Sequence, residues 1–230
     1  MRKYYDCHRH EVGNQIGGFL IALDGKRGCA GGYSNDEVIL IAQEANMIPV
    51  QYVTYRLEEN LKTEVLKYHP RRENYSVLSV ENHIEKMAPK IVIIDTLNAP
   101  YWKPEDYWSL SIKFPDIGFL FSHAGGFDIV EFLKIAMFQK NVWIDFSFTQ
   151  HVFGWCGANV PLPVVTQSID YAMKDSRIYK KLLFGSDSMR GEKELASEAL
   201  VSYENYDSFS DVIDSNFKKF VKEYGINYEK

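Results

Sequence analysis

Ile91-Val92-Ile93-Ile94-Asp95-Thr96 is a run of four β-branched residues that ends in a carboxylate and a hydroxyl. A strand that is apolar on both faces belongs in a parallel sheet covered by helices, not in a half-exposed antiparallel one. Ile117-Gly118-Phe119-Leu120-Phe121 reads the same way. Working outward from these two, further strands are predicted at Lys3–His8, Gly18–Leu23, Pro49–Tyr55, Glu64–Tyr68, Asn141–Phe146 and Lys181–Gly185, with the opening pair spanning Lys90–Thr96 and Ile117–Ser122. Helical recurrences fall between them. Ser34 or Asn35 can cap a helix through Asn46, Pro104 opens one that ends before Phe114-Pro115, and Asp128–Gln139, Leu162–Tyr179, Glu192–Tyr203 and Ser210–Tyr224 follow. Strands alternating with helices define an α/β fold. Eight strands predict a (β/α)₈ TIM-like barrel, with an open doubly wound sheet as the alternative.

The length of 230 residues suits one such barrel, so residues 1–230 are read as a single domain. Glu11–Gly17 is too short and Gly-rich for a full helix, which predicts a barrel somewhat compressed between strands 1 and 3. Asp24–Gly32 reads as an insertion over the barrel mouth. A net charge of −5 gives no reason to expect nucleic acid or an anionic membrane as a partner. No apolar run approaches the roughly 18 residues that span a bilayer. The opening Met1-Arg2-Lys3-Tyr4-Tyr5-Asp6 runs straight into a charged strand end, so no signal peptide is expected and the chain is expected to be cytoplasmic. Cys7, Cys29 and Cys156 are odd in number and lack CxxC spacing, which argues against a disulfide framework and a thiolate zinc site.

In a barrel the active site is built at the carboxyl ends of the strands, and here the polar residues gather at those ends. They are Asp6-Cys7-His8-Arg9-His10, Tyr68-His69-Pro70, Asp95-Thr96, Ser122-His123-Ala124-Gly125-Gly126, Asp145-Phe146-Ser147 and Gly185-Ser186-Asp187. Four of the six histidines fall in this set. Residues two apart on a strand share a face, so His8 and His10 can offer two imidazoles to one divalent ion, with Asp187 as the best carboxylate across the barrel. Imidazole and carboxylate ligands suit zinc first, and also manganese or iron. Such an ion lowers the pKa of bound water, and Asp187 can ligate it, accept the water proton, or do both in turn. His123, before two glycines, can serve as acid, base or electrophile. Asp95 ends an apolar strand and needs a partner, for which a metal, His69 or a helix end would serve. His69 and Arg71 can hold an anionic substrate group, as can Arg190, and His151 lies in an aromatic loop with Phe148, Phe153 and Trp155. Arg9 alternates away from the histidine pair and is expected to point outside the lumen. His83, on a predicted helix, is expected at the surface. No Walker loop, GxGxxG or GxSxG elbow is present.

This ordered set of strand ends resembles the amidohydrolase-2 branch of the amidohydrolase superfamily, metal-dependent TIM-barrel hydrolases and decarboxylases. Asp6-Cys7-His8-Arg9-His10 is similar to its opening D-x-H-x-H strand, and Leu66-Lys67-Tyr68-His69-Pro70 to its G-x-K-x-H-P strand. Phe114-Pro115-Asp116 through His123-Ala124-Gly125-Gly126 resembles F-P-D…H-x-G-G, Asn141–Ser147 the N-V-Y-x-D-x-S strand, and Leu183-Phe184-Gly185-Ser186-Asp187 the L-F-G-S-D ending of strand eight. Asp214-Ser215-Asn216-Phe217 fits the place of the usual terminal helix. The resemblance implies one divalent ion on His8, His10 and Asp187, with His123 as the catalytic histidine. It also implies a histidine ligand at the end of strand five, where this chain has Asp95. A carboxylate ligand there would add negative charge and make bound water less acidic.

The implied function is hydrolysis of a C–O or C–N bond in a small, acidic substrate by metal-activated water, with Asp187 as base and His123 stabilising developing charge. A non-oxidative decarboxylase is the alternative. A barrel that binds ligand without turnover is the second alternative, favoured by Asp95 and the compressed chain. The expected partner is a small-molecule substrate, and the resemblance leaves room for a homodimer.

Overall fold

The computed structural model describes residues 3–23, 32–56, 61–97, 103–154, 162–189 and 195–227. Eight parallel strands pair in sequence order. They are β1 (Tyr5–Arg9), β2 (Gly17–Ile21), β3 (Ile48–Tyr52), β4 (Val65–Tyr68), β5 (Ile91–Asp95), β6 (Gly118–Ser122), β7 (Val142–Asp145) and β8 (Leu182–Leu183). The edges of this sheet come together through backbone bonds from Cys7 N–H to the Phe184 carbonyl (2.8 Å), Asp187 N–H to that of His8 (2.8 Å) and His10 N–H to that of Ser188 (3.0 Å). The result is a nearly closed TIM barrel, as the strand count predicts.

Both faces of each strand are apolar because both are covered. Phe19, Val50, Ile91, Ile93, Leu120, Trp143 and Leu183 fill the barrel interior. Leu66, Val92, Ile94, Phe119, Phe121, Val142 and Ile144 alternate with them and pack under the helices. Each such side chain contributes about 1.5–3 kcal/mol by burial.

The helices are α1 (Asn35–Glu44), α2 (Pro70–Glu73), α3 (Glu81–Met87), α4 (Pro104–Lys113), α5 (Ile129–Phe138), α6 (Thr149–Val152), α7 (Pro163–Lys174), α8 (Ser176–Tyr179), α9 (Leu195–Tyr203) and α10 (Asn216–Glu223). A full capping box of Ser34 with Glu37 starts α1. The single helix expected over Leu162–Tyr179 is two, because Asp175 turns extended and its carboxylate caps α8 through Arg177 N–H. Residues 10–16 contain no helix, as the compression requires, while α1 does separate β2 from β3. The described part of residues 53–64 lacks a helix too, so the barrel is also short after β3. Most of the expected insertion, residues 24–31, lies outside the described residues, as do Cys29 and Cys156; Cys7 is a free, buried thiol. No helix among the described residues is long and apolar enough to cross a membrane.

The floor of the barrel is sealed by α10. Phe217 stacks on Tyr5 with ring centroids 5.0 Å apart and meets Phe19 edge-on at 5.1 Å. Gly118 is required there, since a Cβ would lie 2.5 Å from the Tyr224 ring. Asn216 Nδ2 donates to the carbonyls of Tyr179 (2.6 Å) and Leu182 (2.8 Å), which ties the helix to β8. One expectation is corrected: His83 is buried, its Nδ1 2.7 Å from the Tyr68 hydroxyl, because α3 packs that face onto β4.

Candidate metal centre

Strict alternation along β1 would send Tyr5, Cys7 and Arg9 inward and both histidines outward. The pairing with β2 prevents this. Tyr5↔Gly17 and Asp6↔Gly18 are followed by Arg9↔Leu20, so β1 carries one extra residue at Cys7-His8. A bulge of this kind reverses the parity of everything beyond it. Tyr5 and Cys7 face the interior below it, while His8 and His10 turn into the mouth above it. Arg9, buried, leaves the histidine pair as expected and bonds Asp6 Oδ2 (3.5 Å), the Glu11 carbonyl (2.9 Å) and the Tyr4 hydroxyl (3.4 Å). Asp6 also accepts from Ser186 N–H (3.0 Å) and Ser186 Oγ (2.6 Å), which fixes the segment carrying Asp187 beside β1.

The tautomers of both histidines follow from their outer partners. His10 Nδ1 lies 3.0 Å from the Ile21 carbonyl, which can only accept, so Nδ1 carries the proton. The Ser147 hydroxyl donates to Asp145 Oδ1, so it accepts from His8 Nδ1 at 2.9 Å. Burial, aided by the Lys67 charge, lowers the His8 pKa to about 4 and keeps the ring neutral at pH 7. The Nε2 atoms of His8 and His10 each lie 3.3 Å from the same atom, Asp187 Oδ1. A divalent cation there would take the place of a proton on these nitrogens and be bound by all three atoms. The spacing fits one: ligands about 2.0–2.1 Å from a tetrahedral zinc stand ~3.3 Å apart. The histidine side chains are 2% and 4% exposed against 20% for Asp187, so the open side of the cluster is at the carboxylate.

A second cluster is built around Asp95. Its Oδ2 lies 3.2 Å from His69 Nε2 and 3.1 Å from His123 Nε2, and Arg71 Nε sits 3.2 Å from its Oδ1. Arg71 Nη2 adds a bond of 3.4 Å to Oδ2. Burial alone would push the Asp95 carboxyl up; His69, His123 and Arg71 outweigh it and hold it well below the usual range. Burial also opposes charge on His123, yet the bond to Asp95 raises its pKa. Its Nδ1 faces the Ser147 carbonyl at 2.8 Å, so both nitrogens point at acceptors and the ring is held as imidazolium. His69 is the opposite case, since burial lowers its pKa to about 3 and it donates to Asp95 as a neutral ring.

Among the described residues, two groups bring three metal-binding side chains within 4.8 Å of one another: His8, His10 and Asp187, and His8, His123 and Asp145. Asp95 is in neither. In the second group Asp145 Oδ1 is already saturated by the N–H groups of Ser147 (2.9 Å) and His123 (3.2 Å) and by the Ser147 hydroxyl. In the first group the facing atoms are His8 Nε2, His10 Nε2 and Asp187 Oδ1. Of the other residues singled out from the sequence, His151 is one-third exposed on α6, 3.9 Å from Glu198 Oε2, and Arg190 lies outside the described residues.

Lys67 is a site residue that strand-end reasoning passed over. It is buried inside β4 with Nζ 3.0 Å from Ser122 Oγ, and burial lowers its pKa against the pull of Asp95, Asp145 and Asp187. The signal was a lone ammonium in the otherwise apolar Val65-Leu66-Lys67-Tyr68.

No family model and no curated protein matches the sequence. Solved structures do match the fold. An amidohydrolase 2 from Bifidobacterium longum subsp. infantis aligns over 98% of this chain and 99% of its own, with a TM-score of 0.58 and 14% identity. A probable 2-pyrone-4,6-dicarboxylic acid hydrolase from Acinetobacter baumannii, with citric acid bound, gives 0.56 and 16% over 92% of this chain and 84% of its own. An amidohydrolase from Burkholderia multivorans with bound zinc gives 0.59 and 14% over 93% and 84%. At these identities the likeness is one of fold, and the fold is that of the amidohydrolases the strand-end motifs resemble.

Proposed function

We propose that this chain is a metal-dependent hydrolase of the amidohydrolase-2 type, acting on a C–O or C–N bond of a small acidic substrate. The observation that carries the reading is the convergence of two imidazole Nε2 atoms on one carboxylate oxygen, each 3.3 Å from it. His8, His10 and Asp187 would hold one divalent ion, zinc by the donor set, with manganese or iron as substitutes. When bound, that ion supplies Lewis acidity to a substrate carbonyl and lowers the pKa of water. Asp187, on the open side, accepts the proton of the attacking water at its free oxygen. His123, held as imidazolium by Asp95 and Ser147, places positive charge beside the position where an oxyanion develops. Asp95 acts through His123 as a positioning residue and not as a ligand. Arg71, whose Nε and Nη2 hold Asp95, is 39% exposed and offers its remaining edge to a substrate carboxylate. His69 lines the same side, and His151 and Arg190 are proposed as substrate-binding residues from the sequence.

The test is turnover by zinc-loaded protein on a panel of lactones, amides and hydroxybenzoates, with products analysed. Ring opening or amide cleavage that stops on chelation supports the hydrolase. Release of CO₂ would replace it with a decarboxylase on the same site. Tight binding that survives chelation, with no turnover on any substrate, would make the chain a binding barrel.

A further inference from the structure

The backbone at Phe148 is held in a conformation that its side chain does not favour. Phe148 has φ 60° and ψ −43°, and Thr149 N–H donates back to the Ser147 carbonyl, closing a three-residue turn. This is the positive-φ γ-turn, a rare and strained form, and for a bulky residue a genuine outlier. Burial of the side chain does not explain it, because the Phe148 ring is 38% exposed. What the turn does achieve lies in the site. Its Ser147 carbonyl accepts from His123 Nδ1 at 2.8 Å, and its Phe148 ring stands edge-on to the His123 ring, centroids 6.0 Å apart. The neighbouring connections add Phe127, 53% exposed, whose ring lies 4.5 Å from that of Phe153. Strain kept at a site edge, with an exposed ring as its product, marks a functional placement.

We infer that the Ser147–Thr149 turn builds an apolar subsite beside the metal centre, and that Phe148 is a specificity-determining residue selecting substrates with a flat apolar group next to the bond that reacts. The inference rests on the metal-centre reading above. The aromatic face supplies area without a hydrogen-bond requirement, while Asp95 lies at Nε2 of His123, the ring nitrogen opposite the one that bonds the turn. A substrate with a bare aliphatic or hydroxylated group at that position leaves the ring partly solvated and binds less well.

The test uses zinc-loaded full chain and two probes that present one metal-binding group on different bodies, acetohydroxamate and benzohydroxamate. Calorimetric titration of the parent is expected to show about tenfold preference for the phenyl probe. Phe148→Ala and Phe148→Gly should bring that ratio close to one while acetohydroxamate affinity stays within about twofold. The thermal midpoint of Phe148→Gly should equal or exceed that of Phe148→Ala, since glycine takes positive φ without strain. Equal binding of both probes by the parent, or a preference kept in Phe148→Ala, overturns the subsite and leaves the metal centre standing. A Phe148→Gly midpoint clearly below that of Phe148→Ala overturns the strained turn. If neither probe binds, the metal-centre reading fails and the subsite falls with it.

Discussion

Two sides of one barrel mouth carry a carboxylate among histidines, and they are built to opposite ends. On the β1–β8 side, Asp187 faces the Nε2 atoms of His8 and His10. On the β4–β6 side, Asp95 faces His69, His123 and Arg71 through their N–H groups. The second carboxylate already has the Arg71 guanidinium across both of its oxygens. A histidine next to a carboxylate is therefore no metal site by itself; the counter-charge the carboxylate already has separates the two sides.

The sharpest way to break the comparison is to remove each carboxylate in turn. Asp187→Ala takes away one of three ligands and should weaken zinc binding by more than about 10³-fold, read by competition with a chromophoric chelator. Asp95→Ala should leave zinc stoichiometry unchanged but cost about 3 kcal/mol in denaturant unfolding, because it leaves the buried His123 ring without its counter-charge. Loss of zinc from the Asp95 variant, in protein still folded by circular dichroism, would merge the two sides into one site.

Ser147 touches both sides, 2.9 Å from His8 Nδ1 and 3.2 Å from His123 Nδ1. Ser147→Ala is expected to lower zinc affinity about 10–100-fold with the ion still bound at saturation. An unchanged affinity would show that the serine does not set the His8 tautomer.

The effect that is smallest per step is in pH. The folded pKa of His69 is about 3, far below that of the unfolded chain, so between these values the unfolded state binds the extra proton. Stability should fall as pH drops from about 6.5, by up to about 1.4 kcal/mol per pH unit. Asp95, whose folded pKa is depressed, adds to the loss below the ordinary carboxylate range in the same direction. His69→Gln should flatten the upper part of this window, as followed by urea unfolding at several pH values.

Most of the fold was legible because parallel strands covered on both faces leave unbroken apolar runs, and Ile91–Ile94 is one. The residues at the strand ends were legible for the same reason, since a polar group closing such a run stands out. What could not be read depends on backbone departures or on partners far away in sequence. The bulge at Cys7-His8 inserts one residue against β2, and the simple alternation that paired His8 with His10 gives the wrong face without it. The Phe148 turn leaves no mark in residue type, as glycine would be the usual choice there. His83 looked exposed because its partner Tyr68 comes from β4. Asp95 reads from sequence as a partner for a metal, His69 or a helix end, and which of these surrounds it depends on Arg71, His69 and His123, which come from other elements or turns.

The measurement that bears most directly on the account is zinc content by elemental analysis of purified protein, beside the His8→Ala/His10→Ala double variant. The account predicts close to one equivalent in the parent and none in the variant. A parent that takes up no metal after incubation with zinc or manganese, or a double variant that keeps its equivalent, would contradict it.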